Sequence, residues 1–344
     1  MTTNRKVSAV IPTRNRPALV CRAVRSVLAQ TYQEIEVVIV VDGPDPDTVA
    51  ALTEFVDPRV RVIALDENVG GSEARNIGAR EAAGGWIALL DDDDEWLPGK
   101  IEKQIALAET FSGPRIMVAC QYFDRMEDAE LVRPRNFPKP GENICDFLYK
   151  RVSWLGAMDG FPQTSTWFLS REFFLEVPFR KGLKRNQDID WLLQALRLPD
   201  IDLAMIPEPL VIFYNEKQRK RVTSAAGNGW QINRNWAVEH HELFTPQGFS
   251  TYIAILPLNM AMQDGAQWKS LKSLFQDCRQ YGAISPKILW LFALYGIFYP
   301  YLRKVITPGL RKKLVYYASM ANHLRRSLRS SGKNSSEQLS ARVL

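Results

Sequence analysis

The chain has 344 residues, of which 46% are hydrophobic and 24% are charged, as in ordinary globular proteins. This composition excludes a disordered chain, a collagen-like repeat and a bundle of many membrane-spanning helices, and the length allows one large domain or two smaller ones. The net charge is +6, but residues 301–344 contain ten Lys or Arg and one acid, which makes that segment +9 and residues 1–300 −3. A basic segment attached to a mildly acidic body does not indicate a protein whose body binds nucleic acid.

The cysteines and the N-terminal segment indicate the compartment. Four cysteines lie far apart without a CxxC pair, and there are only three histidines, which argues against structural zinc and against a disulfide scaffold. The segment MTTNRKVSAVIPTRN is too polar for a secretory signal. We therefore expect a cytoplasmic protein with reduced thiols.

In the first third of the chain, short apolar runs alternate with segments whose apolar residues have helical spacing. The predicted strands are residues 7–11, 34–41, 59–65 and 86–90, and the predicted helices between them are residues 18–30, 48–55 and 72–83. Continuous apolar strands are typical of a parallel sheet that is covered on both faces. The alternation therefore predicts an α/β fold of the doubly wound, Rossmann-like type with a mostly parallel sheet.

The pattern is less regular after residue 115. It predicts strands at 116–123 and 166–169, helices at 171–176 and 188–198, and two short extended pieces, 204–207 and 210–214, separated by proline. Beyond Gly229 the chain reads as a helical extension rich in aromatic residues, and residues 329–344 read as disordered. We therefore expect a catalytic domain over 1–225, a helical region over 226–328 and a disordered basic tail over 329–344.

Polar residues follow all four strands of the first third. They are Pro12, Thr13, Arg14 and Asn15 after the first strand, Asp42 and Gly43 after the second, residues 68–72 after the third, and Asp91, Asp92, Asp93 and Asp94 after the fourth. Ligands of open parallel sheets bind beyond the carboxyl ends of the strands. If the fold is correct, these residues converge on one site.

The run of four aspartates is the most specific of these signals. Carboxylates crowded into a crevice repel one another and favour a hard divalent cation such as Mg²⁺ or Mn²⁺. The alternative is a solvated acidic loop in which Asp94 caps the next helix. Arg75 could contact a phosphate or be a solvated helix charge, and Asp42 could accept a hydrogen bond from a nucleobase or serve as a turn residue before Gly43.

Four segments, in this order, resemble the family 2 glycosyltransferases with the GT-A fold: VSAVIPTRNRP, EVVIVVDGP, NVGGSEARNIGAREAAGGWIALLDDDDEWLP and NQDIDWLLQALR. The resemblance covers about residues 5–225. It implies an enzyme that transfers a sugar from a nucleotide-diphosphate sugar, most commonly a UDP-sugar. A cell-surface polysaccharide pathway fits this family, and the acceptor would be a glycan or a lipid-linked sugar.

The resemblance also implies roles for individual residues. Pro12, Thr13 and Arg14 would line the nucleotide pocket, Asp42 would face the base, and Arg75 would lie near the diphosphate. Asp91 and Asp92 would face the ribose and the sugar, Asp93 would bind Mn²⁺ or Mg²⁺, and Asp188 would be the catalytic carboxylate. Gln187 stands where the family usually has Glu, which leaves the role of that position open.

These roles predict a single-displacement mechanism. A divalent cation stabilises the charge that develops on the departing diphosphate, and Asp188 removes the proton of the acceptor hydroxyl as general base. Attack opposite the leaving group inverts the anomeric carbon. The alternative for Asp188 is an acid that only stabilises a helix N-terminus.

Residues 288–302, ILWLFALYGIFYPYL, contain no charge and precede two clusters of basic residues. A helix of this length measures about 22 Å, too short for the roughly 30 Å hydrocarbon core. We therefore predict a peripheral element at the anionic inner face of the cell membrane. The alternative is a helical extension that packs on the catalytic domain or in an oligomer interface.

Two other functions remain open from the residues alone. A nucleotidyltransferase that makes activated sugars would share the fold and the acidic site, but it should have a glycine-rich phosphate loop after the first strand, where PTRNRP has no glycine. A non-catalytic, membrane-attached nucleotide-sugar-binding protein should have lost an acidic motif or the base, and both are present.

Overall fold

The computed structural model describes residues 4–127, 129–139, 141–150, 152–153, 161–215, 229–266 and 268–298. The chain divides into two compact units. Unit 1 contains the described residues up to 141 together with 161–215, and unit 2 contains 142–153 together with 229–298.

The described strands are β1 Val7–Thr13, β2 Ile35–Val41, β3 Val60–Ala64, β4 Trp86–Leu89, β5 Glu95–Trp96, β6 Arg115–Met126, β7 Ala129–Arg133, β8 Phe168–Ser170 and β9 Ile201–Tyr214. The α-helices are α1 Pro17–Leu28, α2 Pro46–Leu52, α3 Gly71–Glu81, α4 Lys100–Ala108, α5 Ile144–Lys150, α6 Arg171–Glu176, α7 Gln187–Ala195, α8 Gly229–Glu239, α9 Pro246–Ile255, α10 Pro257–Gln263, α11 Trp268–Tyr281 and α12 Pro286–Ala293.

The strands of unit 1 form one mixed sheet in the order β3-β2-β1-β4-β8-β6-β9-β5, with β7 paired to β6. The strands β1, β2, β3, β4, β6 and β9 run in one direction, and β5, β7 and β8 run in the other. The first four strands are joined through α1, α2 and α3, as the alternating pattern predicts. The α/β class with a mostly parallel sheet is confirmed.

Both faces of the sheet are buried. On β1, Val7, Ala9 and Ile11 belong to one hydrophobic cluster, whereas Val10 belongs to another. Since successive side chains of a strand point to opposite faces, the two clusters lie on opposite sides of the sheet. The second cluster contains Trp167, whose ring centroid lies 5.0 Å from that of Trp191.

The structure differs from the predicted elements in two places. The two proline-separated pieces near residues 204–214 are one strand, β9, because the pairing with β6 shifts register between Ile206 and Pro209 and leaves the intervening residues in a bulge. The edge strand β3 is partly exposed along its length rather than buried. The short strands β5 and β7 and the helix α4 are not among the predicted elements, although the buried residues Ile101, Ile105 and Ala108 of α4 have helical spacing.

Unit 2 is helical in its described residues, as predicted for the region beyond Gly229, and α5 also belongs to it. Its core contains buried aromatic rings, among them Trp236, whose centroid lies 5.4 Å from that of Tyr252. Arg234 forms an ion pair with the buried Asp277. After α12 the chain continues as one π-helical turn, Leu294–Phe298.

The end of unit 2 exposes apolar side chains. Leu289 and Trp290 of α12 are 50% and 40% exposed, and Ile297 and Phe298 are 50% and 47% exposed. None of the helices among the described residues has the length and hydropathy needed to cross a bilayer. The predicted helical region beyond residue 298 and the predicted disordered tail at 329–344 lie outside the described residues.

Candidate active site

The loops after β1 and β4 meet at the carboxyl edge of the sheet. Thr13, the last residue of β1, donates a hydrogen bond from Oγ1 to Asp92 Oδ2 over 2.8 Å. Arg16 donates from Nη1 to Asp92 Oδ1 over 2.9 Å and to Asp93 Oδ2 over 3.1 Å. The predicted nucleotide residue Thr13 and the aspartate run are therefore neighbours. Pro12 is buried within β1, and Arg14 is exposed.

Asp42 connects the loops after β2 and β3. Its Oδ1 accepts the Val69 backbone N–H over 2.7 Å, and its Oδ2 accepts the Gly70 N–H over 3.1 Å and the Asn68 side-chain amide over 2.8 Å. Gly43 allows this close approach, because it has φ +96° and a Cβ there would lie 3.0 Å from the Asn68 nitrogen. Asp42 thus shapes the loop that precedes α3, and both of its oxygens are engaged.

Arg75 links the aspartate run to the start of α7. Its guanidinium donates from Nη2 to Asp91 Oδ1 over 2.5 Å and from Nη1 to Gln187 Oε1 over 3.1 Å. The side chain is buried rather than solvated, and its Nε has no hydrogen-bond partner. A buried cation at this point is suited to an anionic ligand.

One carboxylate oxygen from each of Asp91, Asp93 and Asp94 lies within 4.8 Å of the other two. Asp94 is fully buried, and its Oδ2 accepts hydrogen bonds from Gln163 Nε2 and Ser165 Oγ, both over 2.7 Å. Its Oδ1 is buried without a hydrogen-bond partner. Burial, followed by the nearby charge of Asp91, raises the pKa of Asp94 to about 8.

This arrangement fits a divalent cation. The orphaned Asp94 Oδ1 and the crowded carboxylates offer the hard oxygen ligands that Mg²⁺ and Mn²⁺ prefer. The solvated-loop alternative does not agree with the burial, since Asp92 and Asp94 are 5% and 0% exposed. Asp91, Asp93 and Asp94 are the candidate ligands, because their carboxylate oxygens come within 4.8 Å of one another, whereas Asp92 is outside this group and bound to Thr13 and Arg16.

Asp188 lies in the first turn of α7, one residue after the Arg75 partner Gln187. It is partly buried, and its Oδ1 accepts the Ile189 backbone N–H over 2.9 Å. Desolvation raises the pKa of Asp188, the negative charge of Asp91 raises it further, and the Arg75 charge opposes this. A carboxylate with a raised pKa is a stronger base than an ordinary aspartate.

Asp190, two residues later, is fully buried and has a different role. Its carboxylate forms an ion pair with Arg180 over 3.3 Å and accepts a hydrogen bond from Gln194. These contacts hold the segment before α7 against the helix, so Asp190 has a structural role.

Several neighbours of the site were not predicted from the sequence. Arg16 lies within the PTRNRP segment, but no sequence pattern distinguishes it as a site residue, although it contacts two of the aspartates. Gln163 and Ser165 lie in a region without recognisable pattern and reach the site only through the fold.

The chain is similar in sequence to several known proteins. The model of the family described as "Glycosyl transferase family 2" matches residues 8–176. The putative colanic acid biosynthesis glycosyl transferase WcaA of Escherichia coli K12 is 37% identical over 199 residues, which are 57% of this chain and 68% of WcaA. The glucosyltransferase WfgD of Escherichia coli, described as acting from UDP-Glc on α-D-GlcNAc-diphosphoundecaprenol, is 34% identical over 101 residues, 29% of this chain and 40% of WfgD.

A solved structure shows the same fold. The structure of residues 1–349 of S. aureus TarS in complex with UDP-GlcNAc superposes with a TM-score of 0.57 and 15% sequence identity, covering 86% of this chain and 92% of that one. The GT-A fold implied by the sequence motifs is thereby confirmed. Given the family match and the similarity to WcaA, the chain belongs to glycosyl transferase family 2 and is a glycosyltransferase.

Proposed function

We propose that this enzyme transfers a sugar from a nucleotide-diphosphate donor of the UDP type by a metal-assisted single displacement that inverts the anomeric carbon. One observation carries the proposal: Arg75 joins the carboxylate cluster of Asp91, Asp93 and Asp94 to the helix that begins with Gln187 and Asp188. One buried guanidinium would thus connect the proposed cation site to the proposed base.

Asp93, with Asp91 and Asp94, would hold Mn²⁺ or Mg²⁺. When bound, such an ion supplies Lewis-acid stabilisation of the charge on the departing diphosphate. Arg75 adds a fixed positive charge beside the same group and needs no reorganisation during the reaction. The orphaned Asp94 Oδ1 supports this assignment, since a buried acceptor without a donor is suited to a cation.

The donor nucleotide would occupy the edge formed by the loops after β1 and β2. Pro12, Thr13 and Arg14 would line the nucleotide pocket. Asp42 would face the base, and its hydrogen bonds to residues 68–70 would fix the orientation of its carboxylate. Asp91 and Asp92 would face the ribose and the sugar.

Asp188 would act as the general base. The acceptor oxygen forms a bond to the anomeric carbon while the bond from that carbon to the diphosphate oxygen breaks, and the hydroxyl proton passes to the Asp188 carboxylate. The nucleoside diphosphate leaves with the electron pair of the broken bond. Because attack and departure occur on opposite faces, an α-linked donor gives a β-linked product.

The acceptor would be a glycan or a lipid-linked sugar in the synthesis of a polysaccharide. The similarity to WcaA and WfgD, whose names describe colanic acid biosynthesis and a diphosphoundecaprenol acceptor, supports this class. Direct evidence would come from incubating the enzyme with a UDP-sugar panel and a diphosphoundecaprenol-linked acceptor. A β-linked product, seen in the anomeric proton coupling by NMR, is expected, and an α-linked product would contradict inversion.

We also propose that unit 2 binds the anionic cytoplasmic face of the membrane. The exposed Leu289, Trp290, Ile297 and Phe298 are followed by a segment with ten basic residues and one acid. Apolar side chains insert at the interface, and each nearby Lys or Arg contributes about 1 kcal/mol at an anionic surface.

Vesicle flotation tests this proposal. The wild-type chain should float with phosphatidylglycerol vesicles and much less with phosphatidylcholine vesicles. Replacing Trp290 and Phe298 by Ser should weaken flotation, whereas Val56→Ser, which changes an exposed apolar side chain of unit 1, should not. Equal flotation of all three proteins on anionic vesicles would contradict the role of this surface.

A further inference from the structure

The turn at residues 163–166 contacts the carboxylate cluster from inside unit 1. Thr164–Thr166 form one 3₁₀ turn, and Gln163 caps it by accepting the Ser165 backbone N–H on Oε1 over 2.9 Å. All four residues of the turn are buried. The segment belongs to no recognised sequence motif, and the proposed transfer mechanism assigns it no role.

Ser165 uses its hydroxyl in two directions. Its Oγ donates to Asp94 Oδ2 over 2.7 Å and accepts the Asp91 backbone N–H over 3.0 Å. Gln163 adds a second donor to the same Asp94 oxygen over 2.7 Å. A hydroxyl has one donor and two acceptor positions, so one serine fixes both ends of the aspartate run at once.

The consequence for Asp94 is specific. Both donors approach Oδ2, whereas Oδ1 is buried with no partner. The turn therefore helps to decide which Asp94 oxygen accepts hydrogen bonds and which is left without a donor. For an ion with strict geometric demands, such as Mg²⁺, that choice sets the position of a ligand.

The turn is itself held by side chains from α4 and from the strand before it. Trp96 Nε1 donates to the Ser165 carbonyl over 2.8 Å, and Gln104 Nε2 donates to the Thr166 carbonyl over 2.8 Å. Lys100, fully buried, connects these two supports: its Nζ donates to Gln104 Oε1 over 2.7 Å and lies 4.0 Å from the centre of the Trp96 ring.

We propose that Gln163 and Ser165 are positioning residues for the divalent cation, which orient Asp94 and Asp91 as its ligands. This inference rests on the proposed metal-assisted function. It assigns a role to two residues outside the aspartate motif and explains why a buried glutamine and a buried serine converge on one carboxylate oxygen.

Calorimetric titration of Mn²⁺ into the full chain in the presence of UDP tests the inference. Ser165→Ala and Gln163→Met remove one donor each with little change in volume, and Ser170→Ala is the matched control. Ser170 is also buried, but its hydroxyl donates to the Pro114 carbonyl and not to the acidic loop.

Both site variants should raise the Mn²⁺ dissociation constant about 10-fold or more, as expected for the outer partners of a metal ligand, and the control should not. At saturating Mn²⁺ they should recover most of kcat, because the defect lies in metal affinity. Should one variant fail to fold, the other still decides.

The outcomes separate the inference from the function on which it rests. Wild-type protein that binds no Mn²⁺ with UDP would overturn both. Wild-type binding that is unchanged in Ser165→Ala and Gln163→Met would overturn the positioning role alone.

Discussion

Replacing Asp188 by Asn removes the proposed base while preserving its shape. Asparagine Oδ1 can still accept the Ile189 N–H that Asp188 Oδ1 now accepts over 2.9 Å, so the first turn of α7 should stay intact. A general base contributes about 10²–10⁴-fold in rate, which corresponds to about 2.7–5.4 kcal/mol in the activation barrier. We expect kcat to fall by that factor while the affinity for UDP stays unchanged.

The direction in which Asp188→Asn should change the stability of the protein follows from the pKa of Asp188. Burial raises the pKa of Asp188, so the folded state binds its proton more tightly than the unfolded chain does. The charged carboxylate therefore destabilises the folded protein as pH rises through the unfolded pKa of about 3.9 and toward the folded value. Near neutral pH, Asp188→Asn should melt at the wild-type temperature or above it.

The control is another acid in the first turn of a helix. Glu172 occupies that position in α6 and is exposed, and Glu172→Gln should keep full activity. UDP release in a coupled assay gives kcat, and scanning calorimetry gives the melting temperature. If Asp188→Asn kept more than about a hundredth of the wild-type kcat, the loss would be smaller than a general base contributes, and Asp188 would not be the base.

Three further variants probe Gln187, Arg75 and the turn at Gly43. Gln187→Glu adds a negative charge beside Asp188, which should raise the pKa of the base. The acid limb of the pH profile of kcat should therefore move to higher pH. A limb that stays in place or moves to lower pH would show that Asp188 is not the titrating base. Arg75→Met removes the guanidinium that contacts Asp91, and the KM for the donor should rise about 10-fold or more in steady-state kinetics. An unchanged KM would contradict diphosphate binding by Arg75. Gly43→Ala places a Cβ on a residue with φ +96°, 3.0 Å from the Asn68 backbone nitrogen. It should lower the free energy of unfolding by about 1–3 kcal/mol, which would appear as a lower midpoint of urea unfolding. An unchanged midpoint would show that the turn adapts to the side chain.

The first half of unit 1 could be predicted from sequence because its signals are local. Buried parallel strands give continuous apolar runs, as β1 and β2 do, and each run ends in polar residues. Parallel topology then brings those residues to one edge without knowledge of any contact. Thr13 and Asp92, 79 positions apart, meet for this reason.

The second half could not be predicted in the same detail, since its structure depends on distant partners. The strand β5 has only two residues and exists through its pairing with β9. Ser165 and Gln163 carry no periodic signal, and their relation to Asp94 follows from the antiparallel insertion of β8 beside β4. Both Asp42 oxygens accept hydrogen bonds from the loop after β3, and this contact likewise depends on the tertiary structure and not on a local sequence pattern.

Metal-assisted transfer requires a cation at the aspartate run, which can be tested by measuring Mn²⁺ binding to wild-type protein and to Asp93→Ala in the presence of UDP. We expect about one ion per chain for the wild type, because carboxylates and diphosphate would share one cation, and at least about 10-fold weaker binding for the variant. Wild-type protein that takes up neither Mn²⁺ nor Mg²⁺ with UDP or any other nucleoside diphosphate would contradict metal-assisted transfer.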